Sequence, residues 1–298
     1  MLSRTWTPSW ALDVGMVLAP RRHGGGDPTF RAVNDGSVWL ASRTPDGPGT
    51  LRVCVTAGSV LGQAWGPGAS WLLDGMPGLL GAFDDVSGFS VKHEVLRDVA
   101  RKHVGLRIGR TGLVMEALVP AVLEQKVVIR EAHRAWRWLL WQYGTPAPGP
   151  APEGMRVIPE PVVWRQIPSW HWHKAGAEAV RARTIATAAW HVSKLEAAPS
   201  TEELDRLLRA LPGIGVWTSA EVRQRVFGDP DAVSVGDYHL ANHVGYALTG
   251  QKVDDDEMMR LLAPYEGHRH RATILIGLTG IRPPARGPRV PARDYRSF

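Results

Sequence analysis

The chain has 298 residues, 44% of them hydrophobic and 21% charged, a balance that excludes global disorder and gives enough length for two domains with cores of their own. Its single cysteine, Cys54, excludes an intramolecular disulfide, a four-cysteine zinc site and a cysteine-ligated iron–sulfur cluster. The formal net charge is +6, and the surplus follows residue 100: residues 1–100 hold 8 Lys and Arg against 9 Asp and Glu, the rest 27 against 20, which favours a polyanionic partner for the second part.

From the N-terminus, Met1–Pro20 is broken by Pro8 and Asp13 before a signal-peptide core develops. The longest apolar stretch, Ala272–Ile281, is far too short for a membrane span, so a cytosolic protein is expected. Residues 21–28 read as a loop. Val38–Ala41 and Leu51–Thr56 read as strands flanking the turn signals of Thr44–Gly49, an antiparallel meander. Leu61–Leu80 lacks a clean period and is predicted as helix. An N-terminal α+β domain over 1–108 accounts for these pieces.

From Thr111 onward apolar pairs recur every three or four residues, and Pro120 is expected to start or kink a helix there. Thr145–Pro152, rich in proline, is predicted to be a surface linker. Lys174–Val192 is predicted as helix. Trp170-His171-Trp172-His173-Lys174 is a weak zinc signal and reads better as a helix entry with Lys174 towards DNA. Ser200 and Glu203 form a capping box for a helix ending at Ala210. Further helices are predicted over Val216–Phe227 and Tyr238–Leu248, after an Asp254/Glu257 cap, and over Arg269–Leu278. The run His268–Arg271 is read as a helix start touching phosphate, a solvated face being the alternative. The helical domain spans 109–282, and 283–298 form a basic Pro/Arg-rich tail.

The sharpest feature is Leu211-Pro212-Gly213-Ile214-Gly215 between two helices. Two glycines permit a tight turn, and the following helix N-terminus offers unpaired N–H groups to a phosphate oxygen; an ordinary helix connection is the plainer alternative. Asp237 lies 22 residues after Gly215, and an aspartate there taken alone is more often a helix cap than a catalyst.

Taken together, Leu211-Pro212-Gly213-Ile214-Gly215-Val216-Trp217-Thr218-Ser219-Ala220, then Val233-Ser234-Val235-Gly236-Asp237, resembles the signature of the helix–hairpin–helix DNA glycosylases. Ala121–Val127 resembles their earlier helix–loop motif, and the N-terminal domain is similar to that of the 3-methyladenine DNA glycosylase II branch. The resemblance implies a mainly α-helical bundle with the hairpin, plus an N-terminal α+β domain with an antiparallel sheet. It implies a monomer acting on damaged duplex DNA, with Asp237 catalytic. Gly213, Ile214, Gly215 and Thr218 would contact the DNA backbone, and Gln125 and Lys126 would fill the gap left by the flipped base.

Bifunctional members carry a lysine where this chain has Trp217, so a Schiff base at that position is excluded and water is the expected acceptor. Trp217 would stack on a cationic base, a core tryptophan being the alternative. Where the alkylation branch has pocket aromatics, this chain has Glu221, Gly277 and Leu278. These imply a wider pocket, with Glu221 reading the base or pointing to solvent. No organic cofactor is expected; a monovalent cation on the backbone carbonyls of Leu211 and Ile214 is allowed by the resemblance, and no side-chain ligand set demands a metal. Alternatives are a non-catalytic structure-specific DNA-binding protein and a glycosylase for oxidised, deaminated or bulky adducted bases.

Overall fold

The computed structural model describes residues 1–284. The N-terminal part runs β1 (Leu2–Trp6), α1 (Val14–Leu18), β2 (Phe30–Ala32), β3 (Val38–Thr44), β4 (Gly47–Thr56), β5 (Ser59–Trp65), α2 (Ala69–Leu79) and α3 (Arg97–Lys102). The strands form an antiparallel sheet in the order β1-β5-β4-β3-β2. Ala57 and Gly58 both adopt positive φ between β4 and β5, the backbone that a two-residue hairpin turn requires, which fixes the Thr56–Ser59 register.

The segment predicted as one helix over Leu61–Leu80 divides into β5 and α2. The inward positions of β5 are Val60, Gly62 and Ala64, so two of its three core side chains are too small to show alternation. Gly62 is small for a reason: a Cβ there would lie 2.4 Å from Met76 Sδ of α2, which packs across the sheet.

The helical part comprises α4 (Val114–Glu124), α5 (Ile129–Tyr143), α6 (Pro161–Gln166), α7 (Ser169–Ala175), α8 (Ala179–Trp190), α9 (Val192–Glu196), α10 (Thr201–Arg209), α11 (Val216–Val226), α12 (Leu240–Thr249), α13 (Asp255–Leu262) and α14 (Arg269–Leu278). Pro120 lies inside α4, neither starting nor ending it. Ser200 and Asp254 cap α10 and α13 as predicted, accepting from the N–H groups of Glu203 and Glu257, and Gly250 closes α12 in the left-handed conformation. Trp136 and Trp164 sit in one core built from α4, α5, α8, α10 and α11. A second core joins α12, α13 and α14 to Leu96, Val99 and Leu106.

The proline-rich linker does more than cross the surface. Thr145–Pro146 (β6) pairs with Arg156–Val157 (β7). Ala147 and Ala151 then pack on the stacked pair Trp39 and Trp65 of the sheet. Proline stiffens this strap, and the two indoles give it an apolar seat. The His268–Arg271 reading also changes. Arg271 is 2% exposed and paired with Asp84, and Arg269 is paired with Asp231. Their charges are spent inside the fold, where carboxylates compensate the lost hydration. The proposed tail 283–298 lies almost wholly outside the described residues. Among the described residues no helix is long and apolar enough to cross a membrane.

Candidate active site

The hairpin joins α10 to α11. Gly213 has φ +87°, and a Cβ on it would lie 2.2 Å from Thr184 Oγ1 of α8. Only glycine satisfies both the conformation and the space. Ile214 is buried in the core and anchors the turn. Gly215 differs: its backbone is extended, it precedes the first residue of α11, and nothing lies within 4 Å of a Cβ built on it. The open side of the hairpin is therefore the N-terminus of α11, where unpaired N–H groups and the helix dipole favour an anion.

α11 carries Trp217 at its second position, half-buried, with Nε1 donating to Asp237 Oδ2 at 3.3 Å. The other carboxylate oxygen, Oδ1, accepts from the N–H groups of His239 at 2.8 Å and Leu240 at 2.9 Å. Asp237 thus caps the start of α12 with one oxygen and turns the other to Trp217. Gly236, at φ +88°, makes the turn that places it there. Beyond it stand Tyr238, 85% exposed, and the stacked rings of His239 and His243, with Arg282 at 3.1 Å from His243 Nδ1. Burial lowers the His243 pKa, assisted by Arg282 and His239 and opposed by Asp237, so that ring is neutral near pH 7.

The helix–loop segment is tied to the hairpin. Gln125 Nε2 donates to the Gly213 carbonyl at 2.9 Å and to Thr218 Oγ1 at 2.8 Å, while the Gln125 carbonyl accepts two bonds from the Arg181 guanidinium. Thr184 Oγ1 donates to the Pro212 carbonyl at 3.2 Å. Two residues expected at the DNA have partners inside the fold. The Gln125 amide braces the hairpin, and Thr218, 2% exposed, is a buried acceptor for that amide. Lys126 is the residue that projects: it is exposed, at φ +52°, a conformation that side chains other than glycine rarely hold. Gln125→Ala should lower stability by about 1–2 kcal/mol, because the Gly213 carbonyl and Thr218 hydroxyl lose their partner; chemical denaturation checks this.

Glu221 is turned into the fold rather than to solvent, its side chain 15% exposed. Its carboxylate is held by Ser234 on one oxygen and by Arg225 at 2.8 Å on the other. It bridges α11 to the segment leading into Asp237. Gly277 and Leu278 end α14 and are exposed. Lys174 is exposed on α7, an element packed on α5 and α8. A cavity of about 640 Å³ lies between α6, α7 and α8 against Trp164 and Trp172 and includes neither Asp237 nor Trp217.

No family model matches the chain. Over 149 residues, 49% of this chain, it is 32% identical to a Mycobacterium tuberculosis protein described as a probable bifunctional transcriptional activator/DNA repair enzyme AlkA; the match spans only 29% of that protein. The solved structure of the 3-methyladenine DNA glycosylase from Archaeoglobus fulgidus superposes with a TM-score of 0.71 at 14% identity, covering 93% of this chain and 98% of the other. The Clostridium acetobutylicum 8-oxoguanine glycosylase/lyase, bound to double-stranded DNA, superposes with a TM-score of 0.66 at 10% identity, covering 90% and 91%. The chain has the fold of the helix–hairpin–helix DNA glycosylases.

Within that fold, Arg181 and Thr184 support the site although neither belongs to a sequence motif. Both lie on the buried stripe of α8 with Ile185 and Ala188. A charged residue on an otherwise apolar stripe was the available signal, since burial of a guanidinium demands an acceptor. The acceptors, in Gln125 and Pro212, are remote in sequence and could not be named from it.

Proposed function

We propose that the protein is a monofunctional DNA glycosylase that hydrolyses the N-glycosidic bond of alkylated purines in duplex DNA. The observation that carries this reading is the Asp237 carboxylate, fixed by two N–H groups of the α12 start and facing Trp217 at the head of the hairpin helix. Breaking the bond between C1′ and the base nitrogen leaves positive charge on the sugar. A carboxylate already oriented stabilises that charge without reorganising. A purine alkylated at N3 or N7 is cationic and departs neutral with the bonding electrons, so no separate acid is required. Water then bonds to C1′ and its proton passes to Asp237 or solvent. Trp217 offers a π-face for the cationic base, and its indole cannot form the Schiff base of a lyase.

In this reading the N–H groups around Gly213 and Gly215 contact phosphate, and Lys126, exposed beside Gln125, would enter the emptied stack. The test is incubation with duplexes carrying 3-methyladenine, 7-methylguanine, 8-oxoguanine, uracil or hypoxanthine, with released bases identified by mass spectrometry and abasic strands checked for cleavage. Release of methylated purines without strand cleavage is expected. Release of 8-oxoguanine alone would move the substrate class to oxidised bases, and tight binding with no release would leave a structure-specific DNA-binding protein.

A further inference from the structure

A second group of reactive side chains converges next to the DNA-probing loop. His23 comes from the loop after α1, Glu124 is the last residue of α4, directly before Gln125, and His133 lies in the second turn of α5. His23 Nδ1 stands 3.8 Å and His133 Nε2 3.7 Å from the same atom, Glu124 Oε1, and the three ligand atoms all lie within 4.8 Å of one another. Both separations are too long for N–H···O hydrogen bonds. Two imidazole nitrogens facing one carboxylate oxygen across such gaps is the arrangement of ligands around a cation. With zinc about 2.0–2.1 Å from nitrogen and oxygen donors, neighbouring tetrahedral ligands stand about 3.3 Å apart, so each His–Glu separation closes by roughly half an ångström and the His–His separation, within 4.8 Å, by at most about 1.5 Å.

The surroundings hold these ligands in place. Asp27, 1% exposed, accepts from the His23 N–H at 2.7 Å, from the Thr29 N–H and hydroxyl at 2.9 Å each, and from Trp136 Nε1 at 3.0 Å. This fixes the His23 backbone to α5, where the Trp136 ring also meets the His23 ring edge-on. Gly24 has φ +77°, and a Cβ on it would lie 2.4 Å from His133 Nδ1. The loop backbone thus lies against one edge of that imidazole while the opposite nitrogen faces Glu124. The three side chains are 9%, 17% and 19% exposed, buried enough to be held yet open enough to admit a water as a fourth ligand.

We propose that His23, Glu124 and His133 form a site for a first-row divalent metal of the zinc class, which clamps the N-terminal loop to the α4–α5 turn carrying Gln125 and Lys126. Two imidazoles and one carboxylate suit zinc or ferrous iron and disfavour magnesium and calcium, which take oxygen donors. The ligand set has no local spacing motif, because His23 reaches Glu124 only through the packing of the N-terminal loop on α5. Bound metal holds the end of α4, and with it the strained backbone of Lys126, so DNA affinity should rise with metal occupancy.

The full chain, stripped with a chelator, should bind one equivalent of Zn²⁺ in a calorimetric titration and melt at a higher temperature when loaded. Parallel titrations with Fe²⁺ under anaerobic conditions and with Mg²⁺ distinguish the candidate metals. Co²⁺ should give the intense visible absorption of a tetrahedral site. His133→Ala and Glu124→Gln, each verified as folded by circular dichroism, should weaken Zn²⁺ binding at least about tenfold and lose that absorption. X-ray absorption of the zinc-loaded wild-type chain should show two imidazole ligands and oxygen donors, a readout that requires no variant. Absence of stoichiometric Zn²⁺ or Fe²⁺ binding, affinity unchanged by either substitution, or a ligand set without two imidazoles would overturn the proposal.

Discussion

Asp237→Asn should fold, bind DNA and release methylated purine at least about a thousandfold more slowly than wild type, a loss of about 4 kcal/mol of transition-state stabilisation. The substitution separates the two roles of the side chain. The oxygen accepting from His239 and Leu240 can be supplied by asparagine, which caps helices as well as aspartate does. The other position would then present an amide N–H to the Trp217 indole N–H and lose that hydrogen bond, at a stability cost of about 1 kcal/mol. The helix cap is kept, while the negative charge and the weak Trp217 hydrogen bond are lost. Single-turnover release on a 7-methylguanine duplex, set beside denaturant unfolding and a DNA-binding titration, reads the three quantities separately. A rate within tenfold of wild type would remove Asp237 from the chemistry.

The two hairpin glycines should fail in different ways. In Gly213→Ala the backbone is held at φ +87°, and the new methyl meets Thr184 Oγ1 at 2.2 Å. A left-handed non-glycine residue costs about 1 kcal/mol and overpacking a further 1–3, so a loss of about 2–4 kcal/mol is expected. Melting should fall by several degrees, and DNA binding should fail with it, since the Thr184–Pro212 and Gln125–Gly213 bonds depend on that turn. Gly215→Ala has extended backbone and open space around the Cβ. Its stability should change by less than about 0.5 kcal/mol, while DNA affinity drops about tenfold because the methyl occupies the approach of a phosphate to the α11 N-terminus. Equal stability losses in the two variants would contradict this division between a structural and a ligand-facing glycine.

The sequence by itself determined the pieces whose causes are local. Ser200 and Asp254 announced α10 and α13, because a capping side-chain oxygen and the N–H that donates to it lie within one turn. Gly250 ended α12 in the same local way. The hairpin and Asp237 were likewise legible, since tight turns and helix starts restrict residue types within a few positions. Trp217 and Asp237 could be paired only by resemblance, and the structure brings them into contact. The strand β5 was hidden because Gly62, which owes its size to Met76 across the sheet, and the buried Ala64 are too small to show alternation.

What only the tertiary structure decided is where each polar side chain finds its partner. Glu221 meets Ser234 and Arg225, Gln125 braces Gly213 and Thr218, Arg271 pairs with Asp84, and His23 approaches Glu124 and His133. A buried polar group must be satisfied, and that requirement is written in its residue type. Which group satisfies it depends on how remote segments pack, and no local period or spacing carries that information.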